Sequence, residues 1–291
     1  MIINISGRTD ICAFYSKWLE NRIDEGFFDV RNPFNPNLVS RIYEENIDLY
    51  VFCTKTPLPV IPILKKIKKP IYFFVTLTSY HNDIEVNVFN KKDILQGVKE
   101  LSKMLGKENV CVRYDPILLN DTYTISYHIK ALDSLMNELK DYVEEIVFSF
   151  MDDYKNVRKN YLEMNCREIK SDEYYTLANA FKELEKKYHI HLKSCLEDEL
   201  LKYGFNGGTC ISNELALRLT NKTFKKWKAR DCLCRETVDI GAYNSCNHRC
   251  KYCYANYDED KIKNNMLLHD PKSSLLIGHL KETDIIKVRR K

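Results

Sequence analysis

Ile71-Tyr-Phe-Phe-Val-Thr76, Lys91-Lys-Asp-Ile-Leu-Gln-Gly-Val-Lys-Glu-Leu-Ser-Lys-Met-Leu105 and Val110-Cys-Val-Arg113 follow one another as a β-branched and aromatic run, an amphipathic run and a second β-branched run. The outer two are short and almost wholly apolar, as strands covered on both faces are. In the middle one, Ile94, Val98, Leu101 and Leu105 recur at intervals of three and four, the spacing of one helix face. Strand, helix, strand is a βαβ unit, and it implies a parallel sheet.

The same alternation continues in both directions. Ile2–Ser6, Leu49–Thr54, Glu145–Ser149, His191–Ser194 and Thr237–Tyr243 read as further strands, and Thr124–Leu139, Ser171–Lys187 and Asn213–Leu219 as further helices. Six or seven such units over about 250 residues predict an α/β fold of the (β/α) TIM-type barrel kind, complete or partial. A doubly wound sheet is the weaker expectation, because no Gly-rich nucleotide-binding turn follows the first strand. From about Arg230 the pattern gives way to a cysteine-rich segment. Residues 1–229 are therefore expected to form the barrel body, 230–257 the last strand and cysteine loop over the barrel mouth, and 258–291 a C-terminal strap, all in one structural unit. His269, within that strap, is read as packing rather than as a ligand.

Composition narrows the function classes. The 291 residues are 44% apolar and 30% charged, with a formal net charge of +4, and both signs are interspersed along the chain. No basic stripe marks a nucleic-acid surface, so a nucleic-acid partner is allowed but not indicated. No run approaches the roughly 18 to 20 apolar residues of a membrane span. Met1-Ile-Ile-Asn-Ile-Ser-Gly-Arg8 lacks the charged and long apolar parts of a signal peptide, so a cytoplasmic protein without a membrane partner is expected.

In barrels, chemistry gathers where strands end. The residues just past the expected strands are Arg8 and Asp10; Lys55; Thr76 and Thr78; Arg113, Tyr114 and Asp115; Asp152 and Asp153; and Cys195 and Glu197. Arg8, Asp10, Lys55, Arg113 and Asp115 are the catalytic candidates, since a rim of both signs suits an amino-acid-like ligand. The competing reading of Arg113 and Asp115 is a salt bridge that closes the rim.

Eleven cysteines in a reducing compartment point to metal rather than disulfides. Cys12, Cys53, Cys111 and Cys166 are scattered, with Cys53 and Cys111 read as small buried hydrophobes. Seven fall between Cys195 and Cys253. In Cys246-Asn-His-Arg-Cys250-Lys-Tyr-Cys253, the spacing Cys-x3-Cys-x2-Cys lets three thiolates hold three irons of a [4Fe–4S] cluster and leave the fourth open. A zinc site, with His248 as fourth ligand, is the alternative. Cys195, Cys210, Cys232 and Cys234 are enough for a second cluster or a zinc ion, and Gly207-Gly208 between them reads as a turn.

The three-cysteine run, with Tyr252 before its last cysteine, resembles that of the radical S-adenosylmethionine superfamily. The resemblance implies that S-adenosylmethionine chelates the fourth iron, that Tyr252 lies near the adenine, and that an electron breaks the S–C5′ bond to give a 5′-deoxyadenosyl radical. Asp239 and Glu197 join Tyr252 as candidate cofactor-binding residues, and a reductant such as flavodoxin or ferredoxin is the implied partner. Tyr243-Asn-Ser-Cys246-Asn-His248 is also similar to the spore photoproduct lyase branch, which makes nucleic-acid repair one alternative; a non-catalytic iron–sulfur or zinc protein is another. A longer resemblance, to the uncharacterised domain-of-unknown-function family 1848, rests on Arg8-Thr-Asp10 with Ala13-Phe-Tyr15, Arg31-Asn-Pro-Phe-Asn-Pro36, Thr54-Lys55, Arg113-Tyr-Asp-Pro116 and Asp239-Ile-Gly-Ala-Tyr243. Ordinary radical enzymes place the cysteine loop after the first strand. Here it follows the last, so the two arrangements agree only if Thr237–Tyr243 lies beside Ile2–Ser6.

Overall fold

A computed structural model of the chain describes residues 1–290 apart from 153, 196, 206, 207 and 229–231, and leaves out the side chain of 198. Asp153 and Gly207 therefore lie outside the described residues. The strands are β1 (Ile2–Ile5), β2 (Phe27–Arg31), β3 (Leu38–Tyr43), β4 (Leu49–Thr54), β5 (Ile71–Thr76), β6 (Val110–Ile117), β7 (Glu145–Phe150), β8 (His191–Ser194), β9 (Thr237–Asp239) and β10 (Ile285–Val288). Seven form one open sheet in the order β8-β7-β6-β5-β4-β1-β9, and helices flank it. β9 pairs parallel with β1, and β1 parallel with β4; β6, β7 and β8 are likewise parallel neighbours.

Of the barrel expected as complete or partial, the complete form is corrected: the sheet is not closed. β8 and β9 are the two edges of the sheet, and closure would have required them to pair with each other. The seven expected strands are all present, but β9 stops at Asp239 rather than Tyr243, because the Asp239 carboxylate takes the Gly241 N–H at 2.8 Å and turns the chain there. β6 runs on to Ile117, beyond its expected end at Arg113.

The chain divides into two compact units. The first comprises residues 1–73, 211–249 and 255–291, and the second 74–210 and 250–254. In the first, β4 is buried along nearly its whole length, which is why Leu-Tyr-Val-Phe-Cys-Thr reads as one apolar run. The same unit holds a smaller sheet, β10-β3-β2, that sequence reasoning did not find. Its strands carry charge at their centre: Asp29 faces Arg41 across the antiparallel pair, and the guanidinium meets the buried carboxylate through two bonds of 2.8 and 2.7 Å. Arg31-Asn-Pro-Phe-Asn-Pro36 is the turn of that hairpin, held by the Asn32 side chain accepting the Phe34 and Asn35 N–H groups.

The strap of the first unit is tied down by backbone acceptors. The Trp18 indole N–H donates to the Ser273 carbonyl at 2.9 Å, and β10 pairs with β3. His269 Nδ1 lies 2.7 Å from the Leu276 carbonyl, and its ring meets that of Tyr15 at 4.6 Å.

In the second unit the helix Lys91–Leu105 has the expected bounds, with Asn90 capping it by accepting the Lys92 N–H. Thr124 likewise caps the helix Ile125–Leu139. The helix Ser171–Tyr188 packs on β7 through Phe181, whose ring is 5.0 Å from that of Phe148. Among the described residues no helix is long and apolar enough to cross a membrane.

Candidate functional site

The cysteine run begins where β9 ends, and its first half lies in the first unit. Two asparagines shape that half. The Asn256 side-chain oxygen accepts the N–H groups of Ser245 and Cys246, both at 2.8 Å, while its amide nitrogen donates to the Arg8 carbonyl at 3.0 Å. Asn244 sits in the left-handed region with φ 53°, a conformation asparagine tolerates, and its oxygen accepts the Tyr257 and Asp258 N–H groups. Cys246 is buried in the loop so fixed.

Asp10 and His248 form the buried polar centre of this half. His248 Nε2 is 3.0 Å from Asp10 Oδ2, and the same carboxylate accepts the N–H groups of Ala13 and Lys55 and the Thr54 hydroxyl. Burial would raise the Asp10 pKa. The bonds from His248, Lys55 and Thr54 outweigh it and hold the carboxyl below the usual range. Phe14 packs edge-on against the imidazole at 4.7 Å. The Lys55 backbone thus feeds the network, and its side chain is itself buried.

Asp239, at the end of β9, accepts the Ser6 hydroxyl at 2.6 Å and the Gly7 N–H at 2.7 Å, locking the ends of β9 and β1 together. Arg8 approaches the same carboxylate at 4.0 Å and lies over the Tyr243 ring at 5.3 Å. Gly241 is needed here, since a Cβ would overlap the Ser6 hydroxyl. So Arg8, Asp10, Lys55, Asp239 and Cys246 come together at the ends of β1, β4 and β9.

The second half of the run, residues 250–254, lies in the second unit and is held by a carboxylate. Glu85 is 1% exposed and accepts the Tyr252 hydroxyl, the Thr78 hydroxyl and the Lys91 ammonium. The Lys251 N–H donates to the Ile84 carbonyl at 3.0 Å, and the Asn160 amide donates to the Lys251 carbonyl at 2.7 Å. Tyr252 packs with Tyr80, Ile84, Leu118, Tyr123 and Met164. Burial, then Cys250, then Glu85 push its phenol pKa well up. Cys250 is buried and Cys253 partly so.

Farther along the second unit, the Arg113 guanidinium meets Asp115, which also accepts the Ser149 hydroxyl. The two expected candidates thus pair with each other. Glu197 accepts the Phe150 N–H at 2.6 Å. Cys195, at the end of β8, and Cys210 share a thiol hydrogen bond; that bond, then burial, raises the Cys195 pKa. Gly208 lets the chain pass against β8, where a Cβ would stand 2.6 Å from the Ser194 carbonyl oxygen. Cys232 and Cys234 belong to the first unit and are buried there.

Among the described residues no three His, Cys, Asp or Glu side chains converge as ligands of one metal ion. A cubane distributes its thiolates over different irons, so its ligands need not meet at a point. Three soft thiols within eight residues, on a loop pinned by side-chain bonds, fit that kind of group in donor chemistry.

Sequence reasoning missed Glu85 and Asn256, and quoted Asn244 and Gly241 within motifs without giving them a role. Glu85 sits in a segment with no motif. The asparagines flank the cysteines closely enough that their turn-forming chemistry was a usable signal.

A family model described as a domain of unknown function (DUF1848) matches residues 2–255, and the chain belongs to that family. Comparisons with curated proteins and with solved structures return no match.

Proposed function

We propose that this member of a family of unknown function is a radical S-adenosylmethionine-type iron–sulfur enzyme with a partial, circularly permuted barrel. The observation that carries the reading is the parallel pairing of β9 with β1. From that edge the strands run β9-β1-β4-β5-β6-β7-β8, and the Cys-x3-Cys-x2-Cys loop follows the first of them in space. Cys246, Cys250 and Cys253 would hold three irons of a [4Fe–4S] cluster. When bound with S-adenosylmethionine, and reduced by a partner such as flavodoxin or ferredoxin, that group supplies the electron that opens the S–C5′ bond to give a 5′-deoxyadenosyl radical.

The chain's own residues prepare the loop. Asn256 and Asn244 fix its entry, Asp10 orients the His248 ring, and Glu85 anchors Tyr252. Asp239 ties the loop's strand to Gly7 and Ser6, which places Arg8 at the same strand ends.

Anaerobic reconstitution followed by reduction tests the proposal. The expected result is 5′-deoxyadenosine from S-adenosylmethionine, lost in Cys250→Ala. A fully iron-loaded chain that makes none refutes the reading. Iron content tests the companion proposal that Cys195, Cys210, Cys232 and Cys234 hold a second cluster: about eight irons per chain supports it, and about four, unchanged by Cys195→Ala, removes it.

A further inference from the structure

Tyr80, Tyr114, Tyr123, Tyr127, His128 and Tyr252, all in the second unit, form one continuous group of ring contacts. Within it Tyr114, on β6, is 1% exposed, and His128, on the helix Ile125–Leu139, is fully buried. Burial lowers the His128 pKa to about 4, so the ring is neutral at pH 7. Its hydrogen bonds then fix where the protons lie. Nε2 is 2.9 Å from the Leu118 carbonyl, which can only accept, so Nε2 carries the ring proton and Nδ1 presents a lone pair. That lone pair meets the Tyr114 hydroxyl at 2.9 Å, so the phenol donates to it, and the Ser79 hydroxyl in turn donates to the Tyr114 oxygen at 2.7 Å.

The other phenols of the group meet different acceptors. Tyr80 donates to the Pro116 carbonyl and Tyr127 to the Ser79 carbonyl, both at 2.7 Å, and an amide oxygen is too weak a base to take a proton. Tyr123 donates to Asp83, an exposed carboxylate that would pass a proton on to water. Tyr252 donates to Glu85, which also holds the Lys91 ammonium. Tyr114 thus combines a fully enclosed ring with a neutral base on its hydroxyl. Burial pushes its phenol pKa up, so it does not ionise by itself near neutral pH. Oxidation reverses that. A phenol that has lost an electron is a far stronger acid than an imidazolium, so its proton crosses to Nδ1.

We propose that Tyr114 and His128 form a buried one-electron donor site that serves residues 250–254 of the cysteine loop. When an electron leaves, the Tyr114 O–H bond breaks and an N–H bond forms at His128 Nδ1, giving a neutral phenoxyl radical and an imidazolium. The proton stays within the site and goes back when an electron returns. The Leu118 carbonyl remains on the new cation and the Ser79 hydroxyl on the phenoxyl oxygen. Aromatic rings join the site to the loop: His128 to Tyr80 at 5.9 Å, and Tyr80 to Tyr252 at 5.9 Å. The electron acceptor is a carbon-centred radical, which takes the electron together with a proton from water and ends as a C–H bond. That acceptor rests on the reading above; the site itself does not.

Photo-oxidation of the full chain tests the site without any cluster. Light-generated ruthenium(III) tris-bipyridine is the one-electron oxidant, and a cobalt(III) complex is its irreversible quencher. Electron paramagnetic resonance of samples frozen after the flash should show a slowly decaying tyrosyl signal, because the enclosed phenoxyl meets neither water nor a second radical. With histidine ring nitrogens isotopically labelled, pulsed measurements should show one of them coupled to the radical through the bond to His128. Tyr114→Phe should lose the slow signal, and Tyr175→Phe, at a ring 59% exposed, should keep it. The nitrogen coupling is read on the unaltered chain, so it stands whether or not the variant folds. No slow signal, no ring-nitrogen coupling, or a slow signal that survives Tyr114→Phe overturns the proposal. The coupled signal from a chain that, once iron-loaded, makes no 5′-deoxyadenosine keeps the site and removes the radical reading. 5′-Deoxyadenosine from a chain that lacks the signal does the reverse.

Discussion

Cys246 to Arg249 and Cys250 to Tyr254 are consecutive in the chain, belong to different compact units and are held by different chemistry. The first stretch rests on several anchors: Asn256 and Asn244 satisfy backbone N–H groups, Asp10 is shared by His248, Lys55, Ala13 and Thr54, and Glu259 pairs with Arg249. The second is gathered by the buried carboxylate of Glu85, which takes the Tyr252, Thr78 and Lys91 side chains, beside the Lys251 N–H on the Ile84 carbonyl and the Asn160 amide on the Lys251 carbonyl. Many weak anchors fail one at a time. Removing a buried charge that gathers several side chains costs more than removing any one amide, so the two stretches should respond to perturbation differently.

The largest effect is expected at Glu85. Glu85→Leu strands the buried hydroxyls of Thr78 and Tyr252 together with the Lys91 ammonium, at a cost of about 3–5 kcal/mol. Hydrogen exchange should accelerate over residues 250–254 and leave 244–249 protected. Equal acceleration of both stretches would mean that the loop is anchored as one piece.

The second effect in size is a pH dependence confined to the same side. His128 is fully buried, its Nε2 2.9 Å from the Leu118 carbonyl and its Nδ1 2.9 Å from the Tyr114 hydroxyl, and Tyr80 of the Tyr252 cluster packs against it. Burial lowers its pKa to about 4, against a backbone bond that acts the other way. The folded pKa lies below the unfolded value near 6.5, so the unfolded chain binds the extra proton between those limits and stability falls as pH drops through that window. The total is about 3 kcal/mol, lost between about pH 6.5 and 4 and absent in His128→Gln. Asp10, whose pKa is lowered below 3.8, gives up its contribution only in stronger acid. Exchange measured at pH 7 and pH 5 should therefore loosen the Tyr252 side first.

The contrast between the two stretches also explains what the sequence disclosed. β4, β5 and β7 are buried on both faces and read as apolar runs, and the helix Lys91–Leu105 shows its inward face in its periodicity. Asp10 was found because it sits just beyond a strand end, and Asp239 because it leads into the cysteine run. β2 and β3 escaped because Asp29 and Arg41 break their apolar pattern, and the pairing that makes those charges tolerable is across strands rather than along the chain. β10 escaped because all four of its residues are exposed. Whether the sheet closes depends on β8 meeting β9, and no local pattern encodes that. Glu85 was illegible for the same reason: its partners come from 78, 91 and 252.

Asn256→Ala tests the amide side. It removes the acceptor for two buried N–H groups and the donor to Arg8, which costs about 2 kcal/mol. Asn256→Asp keeps the acceptor and should recover most of that loss. The melting temperature checks both variants, and the exchange pattern should mirror that of Glu85→Leu, with 244–249 loosened and 250–254 intact.

The smallest effect separates the pinned cysteines from the second set. Cys195 and Cys210 bond to each other rather than resting on loops held by side-chain amides, and an S–H group is a weak donor. In the metal-free chain Cys195→Ala should therefore cost only about 1 kcal/mol, the order of one ordinary hydrogen bond. Chemical denaturation of the metal-free wild type and variant measures it. If the thiol pair is a structural element in its own right, the loss will match that of Asn256→Ala; if it is a pair of ligands awaiting metal, Cys195→Ala will be nearly silent until iron is supplied, and only then will the two forms diverge.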